Sequence, residues 1–383
     1  MAKTSLGAVR RGFAPWDDAA AKPFIEFRNV TKRFGDAVAV SDLSLNIYER
    51  EFFCLLGPSG CGKTTLMRML AGFEAPTQGE VWLDGQNLSA VPPHKRPVNM
   101  MFQSYALFPH MSVADNVAFG LKQARMENRA IAQRVEEMLT LVKLQEFGAR
   151  KPHQLSGGQR QRAALARALA PQPKVLLLDE PLGALDKKLR EETQYELADL
   201  QESLGLTFVV VTHDQEEAMT MADRIAVMRN GAVDQIATPA ELYEEPASRR
   251  VAEFIGSINI LEGKVESVSD GLVTLNGAHG RLIVQSTKEP AVGTTAWVAV
   301  RPEKMDIVRP SEDGPAPAAN CLEGEVWDIG YLGDMTLYNA RIADGHIMRA
   351  SILNRSRTVQ NPLTWEEAVR ITFAPSAGTL LLS

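Results

Sequence analysis

Long hydrophobic runs are missing from this sequence of 383 residues. No apolar stretch approaches the ~20 residues that cross a bilayer as a helix, so any role at a membrane calls for separate spanning partners. Cysteine is scarce too: Cys54, Cys61 and Cys321 are an odd set without metal-ligand spacing. That excludes a disulfide framework and a cysteine metal site, and it fits a reduced cytosolic protein. Cys54 lies in the apolar run Phe52-Phe53-Cys54-Leu55-Leu56 and reads as core. Cys61 admits two readings, a tolerated small residue or a redox-sensitive thiol. A basic excess is absent as well: 41 Lys and Arg face 47 Asp and Glu, a formal charge of −6. Nothing global therefore draws the chain to nucleic acid or anionic lipid, although local patches stay open. No fixed-period array of the solenoid type occurs. The first residues contain Arg10, Arg11 and several alanines but no apolar core of a signal peptide, and residues 1–22 are expected to be a mobile tail.

What is present describes a folded protein. Hydrophobic residues make up 45% and charged residues 23%, and the length calls for two or three domains. Residues 24–47 alternate apolar and polar side chains, the period of a half-buried strand. Residues 52–56 are continuously apolar, as in a strand buried on both faces. They meet a glycine-rich turn and then a helical stretch over 64–71. Two further apolar strands, 175–178 and 207–211, end in polar or charged residues. Strands alternating with helices predict a mostly parallel sheet with ligands at its carboxyl edge. Between 103 and 167 the character changes. Val135, Met138, Leu139 and Val142 fall at helical spacing, which predicts a helix over 132–144 in a helical insertion. After about Pro239, short apolar stretches at 282–284, 296–300 and 336–338 alternate with turn residues, as in a small β-barrel-like domain. Residues 311–319 read as a loop within it.

The chemistry starts at Gly57-Pro58-Ser59-Gly60-Cys61-Gly62-Lys63-Thr64, a phosphate loop of the form G-x-x-x-x-G-K-[ST] between a strand and a helix. Glycines let the backbone curl around an anion and present successive N–H groups. The helix start adds its positive end. Lys63 is expected to reach the β- and γ-phosphates, and the Thr64 hydroxyl to ligate Mg²⁺; Thr65 joins them in the nucleotide-binding set. At residues 175–180 an apolar strand delivers two carboxylates. Asp179 is expected to hold Mg²⁺ through water, and Glu180 to orient and deprotonate the attacking water.

Leu155-Ser156-Gly157-Gly158-Gln159 resembles the signature of the ABC-type ATPases, at the spacing before Asp179 that the family uses. Within the matching range, Gln103 resembles the family's Q-loop glutamine, Leu182-Gly183-Ala184-Leu185-Asp186 its D-loop, and His213 its switch histidine. Phe34 stands where an aromatic stacks on adenine; the family usually has tyrosine, and phenylalanine keeps the stacking face. The resemblance implies bound ATP and Mg²⁺, with Gln103 at the metal. It also implies a homodimer in which Ser156, Gly157, Gly158 and Gln159 of a second copy close over the γ-phosphate. His213 would hold the water and Glu180 in line. The implied fold is an α/β P-loop domain with a helical insertion, followed by a β-rich OB-type domain. Expected boundaries are 23–245, with the helical part at 104–167, and 246–383. Residues 105–109, Tyr-Ala-Leu-Phe-Pro, either line a groove for a helix of a membrane subunit or pack in the core. Arg160, Arg162 and Arg167 are either solvated or contact ATP.

The tail from Phe254 resembles the OB-type appendage of importer ATPases, with Arg301-Pro302-Glu303-Lys304 and Tyr331-Leu332-Gly333-Asp334 as its turns. It serves dimer stability or receives a regulator. The phrases at 97–105, 185–190 and 254–259 look most like polyamine importers, particularly the putrescine type. This implies two integral-membrane permease chains, an extracytoplasmic binding protein and a place at the cytoplasmic face of a bacterial inner membrane. Ferric-iron, sulfate and sugar importers share the architecture. A soluble ABC-type ATPase acting on nucleic acid is the rival class. The single phosphate loop, the lack of sustained heptads and the acidic charge argue against it, so no nucleic-acid partner is expected.

Overall fold

The period-two patterning near the start of the chain becomes an antiparallel hairpin in the computed structural model, β1 (Ile25–Phe34) with β2 (Ala37–Ile47). The structure describes residue 6 and residues 12–183, 185–310, 320–358 and 361–383. The loop expected at 311–319, Ala184 of the 182–186 segment and most of residues 1–11 lie outside the described residues. Two units are distinguished, residues 1–239 and 240–383.

In the first unit β3 (Phe52–Leu56) leads into α1 (Lys63–Ala71). Strands β4 (Gln78–Leu83) and β5 (Gln86–Asn87) then complete an antiparallel sheet of order β2-β1-β4-β5. After β6 (Val98–Met101) come three helices, α2 (Val113–Gln123), α3 (Asn128–Leu141) and α4 (Gly157–Leu169). The chain continues through β7 (Val175–Asp179), α5 (Lys187–Leu204), β8 (Thr207–Thr212), α6 (Gln215–Met221), β9 (Arg224–Arg229) and β10 (Ala232–Ala237). The second sheet runs β10-β9-β3-β8-β7-β6, parallel except for β10 at its edge.

The central strands are continuously apolar because both faces are covered. Successive side chains point to opposite faces, and they divide between two cores accordingly. Phe52, Leu176, Leu178, Phe208 and Val210 join the core of α2, α3 and α4. Phe53, Leu55, Leu177, Val209 and Val211 join that of α1, β1 and β2. Register then aligns the carboxyl ends: Leu56 pairs with Thr212, and Asp179 with Val211. Whatever follows β3, β7 and β8 therefore leaves the sheet at one edge.

The helix expected over 132–144 starts earlier and ends earlier. Lys143 is left-handed at φ 56°, its N–H bonds Thr140 O at 3.1 Å, and Leu144 N–H bonds Leu139 O at 2.8 Å. This Schellman arrangement closes α3 at Leu141. Leu144 still reaches the core, so its apolar character marks a cap contact instead of a helical position. Within the stretch read as a tail, Pro15–Asp17 forms a short turn, and the Trp16 ring lies 4.7 Å from the Arg224 guanidinium.

Arg224 also supplies one partner of a buried ion pair. Its Nε donates to Glu51 Oε1 at 2.8 Å and its guanidinium to Glu51 Oε2 at 3.0 Å. Burial pushes the Glu51 carboxyl upward while Arg224 pulls it back. Removing one member leaves an uncompensated buried charge. Glu51→Gln is expected to cost about 3 kcal/mol in denaturant unfolding, and a change within 0.5 kcal/mol would show that the pair contributes little.

The second unit opens within α7 (Pro239–Glu244) and continues through α8 (Arg249–Phe254). Strands β11 (Asn259–Ser269), β12 (Leu272–Gly277), β13 (Gly280–Gln285) and β14 (Thr295–Val300) follow, then β15 (Asp306–Val308) and β16 (Asn320–Tyr331). The last are β17 (Met335–Ile342), β18 (Ile347–Leu353), β19 (Ala368–Phe373) and β20 (Gly378–Leu381). They form two five-stranded antiparallel sheets, β13-β12-β11-β14-β20 and β15-β19-β16-β17-β18, that share one apolar core. The turn at Arg301 has a physical purpose: its buried guanidinium donates to Tyr243 O, Ile255 O and Ser257 O and lies 3.9 Å from the Tyr243 ring.

Candidate functional site

The loop at residues 57–62 joins β3 to α1 and must pass close to its neighbours. A Cβ on Gly57 would sit 2.3 Å from Met228 O. One on Gly62, where φ is 104°, would sit 2.4 Å from Ala39 O. Both positions therefore need glycine. Gly62 is the N-cap of α1 and offers no side chain to its first-turn amides. Those amides and the helix dipole fit an anion. Lys63 is buried at the same place, and its Nζ donates to Gly57 O at 2.6 Å and Pro58 O at 2.9 Å. Cys61 Sγ is 3.7 Å from that amine, so Cys61 is both a buried residue and a neighbour of the site's cation. Pro58, Ser59 and Gly60 are the exposed crest or rim of the loop, with Thr65 on α1 behind it.

Strand β7 brings the carboxylates to this loop. Thr64 Oγ1 donates to Asp179 Oδ1 at 3.2 Å. Burial raises the Asp179 carboxyl above its usual range, and the Thr64 hydrogen bond opposes the rise. Two hard oxygen donors in contact, one of them a carboxylate, suit Mg²⁺. The next residue leaves the strand abruptly: Glu180 is left-handed at φ 45°, a strained conformation for a side chain of this size. Its carboxylate meets His213, expected beside it, and Gln103, expected at the metal. Gln103 Nε2 donates to Glu180 Oε2 at 2.8 Å, and His213 Nδ1 lies 3.2 Å from Glu180 Oε1. Four segments, 57–64, 103, 179–180 and 213, are thus linked at one sheet edge.

The loop that carries His213 is held by residues outside the motifs. Asp214 caps α6 by accepting from the Glu216 and Glu217 amides at 2.8 and 3.3 Å. Arg190 donates to Asp214 Oδ2 at 3.0 Å and to Leu185 O at 3.1 Å, which ties the 182–186 segment to the histidine's loop. Glu217 is buried behind it, accepts from Thr212 Oγ1 at 2.6 Å, and has its carboxyl raised by burial. An Asp directly after the histidine at a helix start was the only local signal.

Residues 156–159 are arranged differently. Ser156 caps α4 and Gln159 completes a reciprocal capping box, with Ser156 Oγ accepting from Gln159 N at 3.3 Å and Gln159 Oε1 from Ser156 N at 2.9 Å. Gly157 and Gly158 open the helix between them. Among the described residues, no hydrogen bond joins this group to the 57–64 loop of the same chain. Phe34 ends β1, is 49% exposed and has Lys32 Nζ 4.7 Å from its ring centroid, which makes it a surface platform and not core.

Two arginines of α4 are bonded to backbone carbonyls. Arg160 donates to Leu155 O at 2.8 Å, and Arg167 donates to Ala106 O at 2.7 Å and Tyr105 O at 2.9 Å. Arg167 is therefore bonded to the backbone after Gln103. It grips consecutive left-handed residues, Tyr105 at φ 61° and Ala106 at φ 47°, two and three positions after Gln103. Tyr105 and Leu107 pack with the helical core, while Ala106 and Pro109 stay exposed.

With the geometry in hand, comparisons with known proteins give a consistent answer. The family model described as "ABC transporter" matches residues 40–183, and that described as "TOBE domain" matches residues 298–381. The chain is 54% identical to the putrescine transport ATP-binding protein PotG of Escherichia coli (strain K12), over 94% of this chain and 96% of that protein. It is 56% identical to a spermidine/putrescine import ATP-binding protein, PotA, of Rubrobacter xylanophilus, over 84% of each chain. Among solved structures it is similar to the ATP-binding cassette MJ0796, a dimer in a post-hydrolysis state bound to ADP and Pi. The identity is 34%, the TM-score 0.51, and the match covers 56% of this chain and 98% of that one.

Proposed function

We propose a function from one premise: the chain belongs to the ABC transporter family of ATP-binding proteins. It hydrolyses ATP and couples that reaction to import of polyamines, putrescine first, across a bacterial inner membrane. The observation that carries the reading is the Glu180 carboxylate, held between Gln103 and His213 at the open end of β7. A general base needs such fixed orientation near the water it activates. Phosphates are received by the backbone N–H groups of residues 59–65 and by Lys63, whose amine already lies against the loop. Thr64, Asp179 and Gln103 hold Mg²⁺, which neutralises charge on the β- and γ-phosphates when bound. His213 steadies the γ-phosphate and Glu180, and Phe34 stacks on the base.

Ser156, Gly157, Gly158 and Gln159 act on the nucleotide of a second copy. Support comes from the helix start, where Ser156 is exposed and the capping hydrogen bonds join Ser156 and Gln159 to each other, and from the dimeric cassettes that the fold resembles. No helix among the described residues is long and apolar enough to cross a membrane. Two permease chains and an extracytoplasmic binding protein therefore complete the importer, with this subunit at its cytoplasmic face. The cargo rests on likeness to PotG and PotA, since none of these site residues would touch it.

Reconstitution with permeases and the binding protein in liposomes tests the reading. Putrescine is expected to raise ATP hydrolysis and to accumulate in the vesicles. Stimulation by a sugar, sulfate or ferric iron, with none by putrescine, would overturn the cargo and leave the ATPase reading intact.

A further inference from the structure

The guanidinium of Arg190, in the first turn of α5, joins three segments. Nη2 donates to Leu185 O at 3.1 Å, and Nη1 donates to Asp214 Oδ2 at 3.0 Å. Nε is buried, makes no hydrogen bond and lies 4.0 Å from Glu217 Oε1. Asp214 gives its other oxygen to the amides that open α6, and its N–H donates to Thr212 Oγ1 at 3.0 Å. The Thr212 hydroxyl in turn donates to Glu217 Oε2 at 2.6 Å. The residues on both sides of His213 thus belong to one network, in which Arg190 is the cation between two carboxylates. Burial raises the Glu217 carboxyl, the Thr212 hydrogen bond lowers it, Asp214 raises it further and Arg190 opposes the rise.

The base of Arg190 is itself fixed. Asp186 caps α5 by accepting from Leu189 N at 3.0 Å. Leu189 also packs onto the start of α4, where a Cβ on Gly158 would sit 3.0 Å from Leu189 Cδ2. We infer that the forked guanidinium of Arg190 is a positioning device for hydrolysis, which holds His213 in register with the 182–186 segment. It acts through Asp214 and His213; among the described residues, no hydrogen bond joins Arg190 to Glu180 or to the 57–64 loop. A planar fork reaches a carbonyl and a carboxylate at once, whereas a lysine ammonium is a compact point charge. The register matters because His213 Nδ1 lies 3.2 Å from Glu180 Oε1, and a misplacement of about 1 Å can cost about 10²-fold in rate. The inference rests on the ATPase reading of this site and adds a residue to it.

The test compares kcat, KM for ATP and equilibrium ATP binding in Arg190→Gln, Arg190→Lys, Asp214→Asn and the pair Arg190→Gln with Asp214→Asn, all in the full chain. Each single change is expected to lower kcat about tenfold, with KM and ATP affinity within about twofold. The pair is also expected to lose about tenfold, because both changes break one contact; independent residues would lose about a hundredfold. The His213 ring resonances, identified by NMR through their loss in His213→Ala, are expected to move in both Arg190 variants. ATP affinity falling in step with kcat, a hundredfold loss in the pair, unmoved His213 resonances, or full activity in Arg190→Lys would overturn the inference. Where Arg190→Gln fails to fold, Arg190→Lys decides by the same split between kcat and KM. Glu180→Gln run alongside separates the two readings. Unchanged turnover there removes the hydrolytic assignment of the site, whereas a normal loss there with none in the Arg190 variants removes Arg190 alone.

Discussion

Glu180→Gln is expected to lower the ATP hydrolysis rate by about 10²- to 10⁴-fold, the usual worth of a positioned general base. The substitution keeps the shape and one acceptor oxygen for Gln103, and it turns the oxygen facing His213 Nδ1 into an NH₂, so nucleotide affinity is expected to stay within a few-fold. The split between catalysis and binding is what separates a base from a structural carboxylate. Steady-state turnover and equilibrium binding of ATP, measured on the same preparation, check it. Turnover unchanged by the substitution would remove Glu180 as the base, and a parallel loss of binding would make it a structural group.

Lys63→Ala is expected to reverse that pattern. The amine is the buried cation of the loop, and losing a desolvated charge-assisted contact to phosphate costs about 3 kcal/mol, or about 100-fold in affinity. Gly57 O and Pro58 O also lose their donor, so the loop's own shape loosens. Binding of ATP by calorimetry should weaken far more than the thermal midpoint falls. Affinity within threefold of the unaltered chain would contradict the placement of the phosphates on this loop.

These residues were legible because their chemistry is written locally. Glycines, a lysine and a threonine are contiguous at 57–64, and Asp179 and Glu180 end an apolar strand. The capping box of Ser156 and Gln159 is likewise a four-residue pattern. Gln103 and His213 needed the order of motifs, since each is an ordinary polar residue until β-sheet register brings it to Glu180. What stayed hidden depends on pairings between distant segments. Arg167 holds the backbone 61 and 62 residues upstream, and Arg224 meets Glu51 across 173 residues. An arginine on an amphipathic helix looks the same whether it faces water or a strained carbonyl pair.

The central claim is that the 57–64 loop is half of a site, completed by residues 156–159 of a second copy. Sedimentation of Glu180→Gln with Mg²⁺ and ATP tests it most directly. The account predicts a species of twice the chain mass of 42.0 kDa holding two ATP, formed only with nucleotide and lost when Ser156→Arg is added. A monomer that retains ATP, or a dimer indifferent to Ser156→Arg, would contradict it.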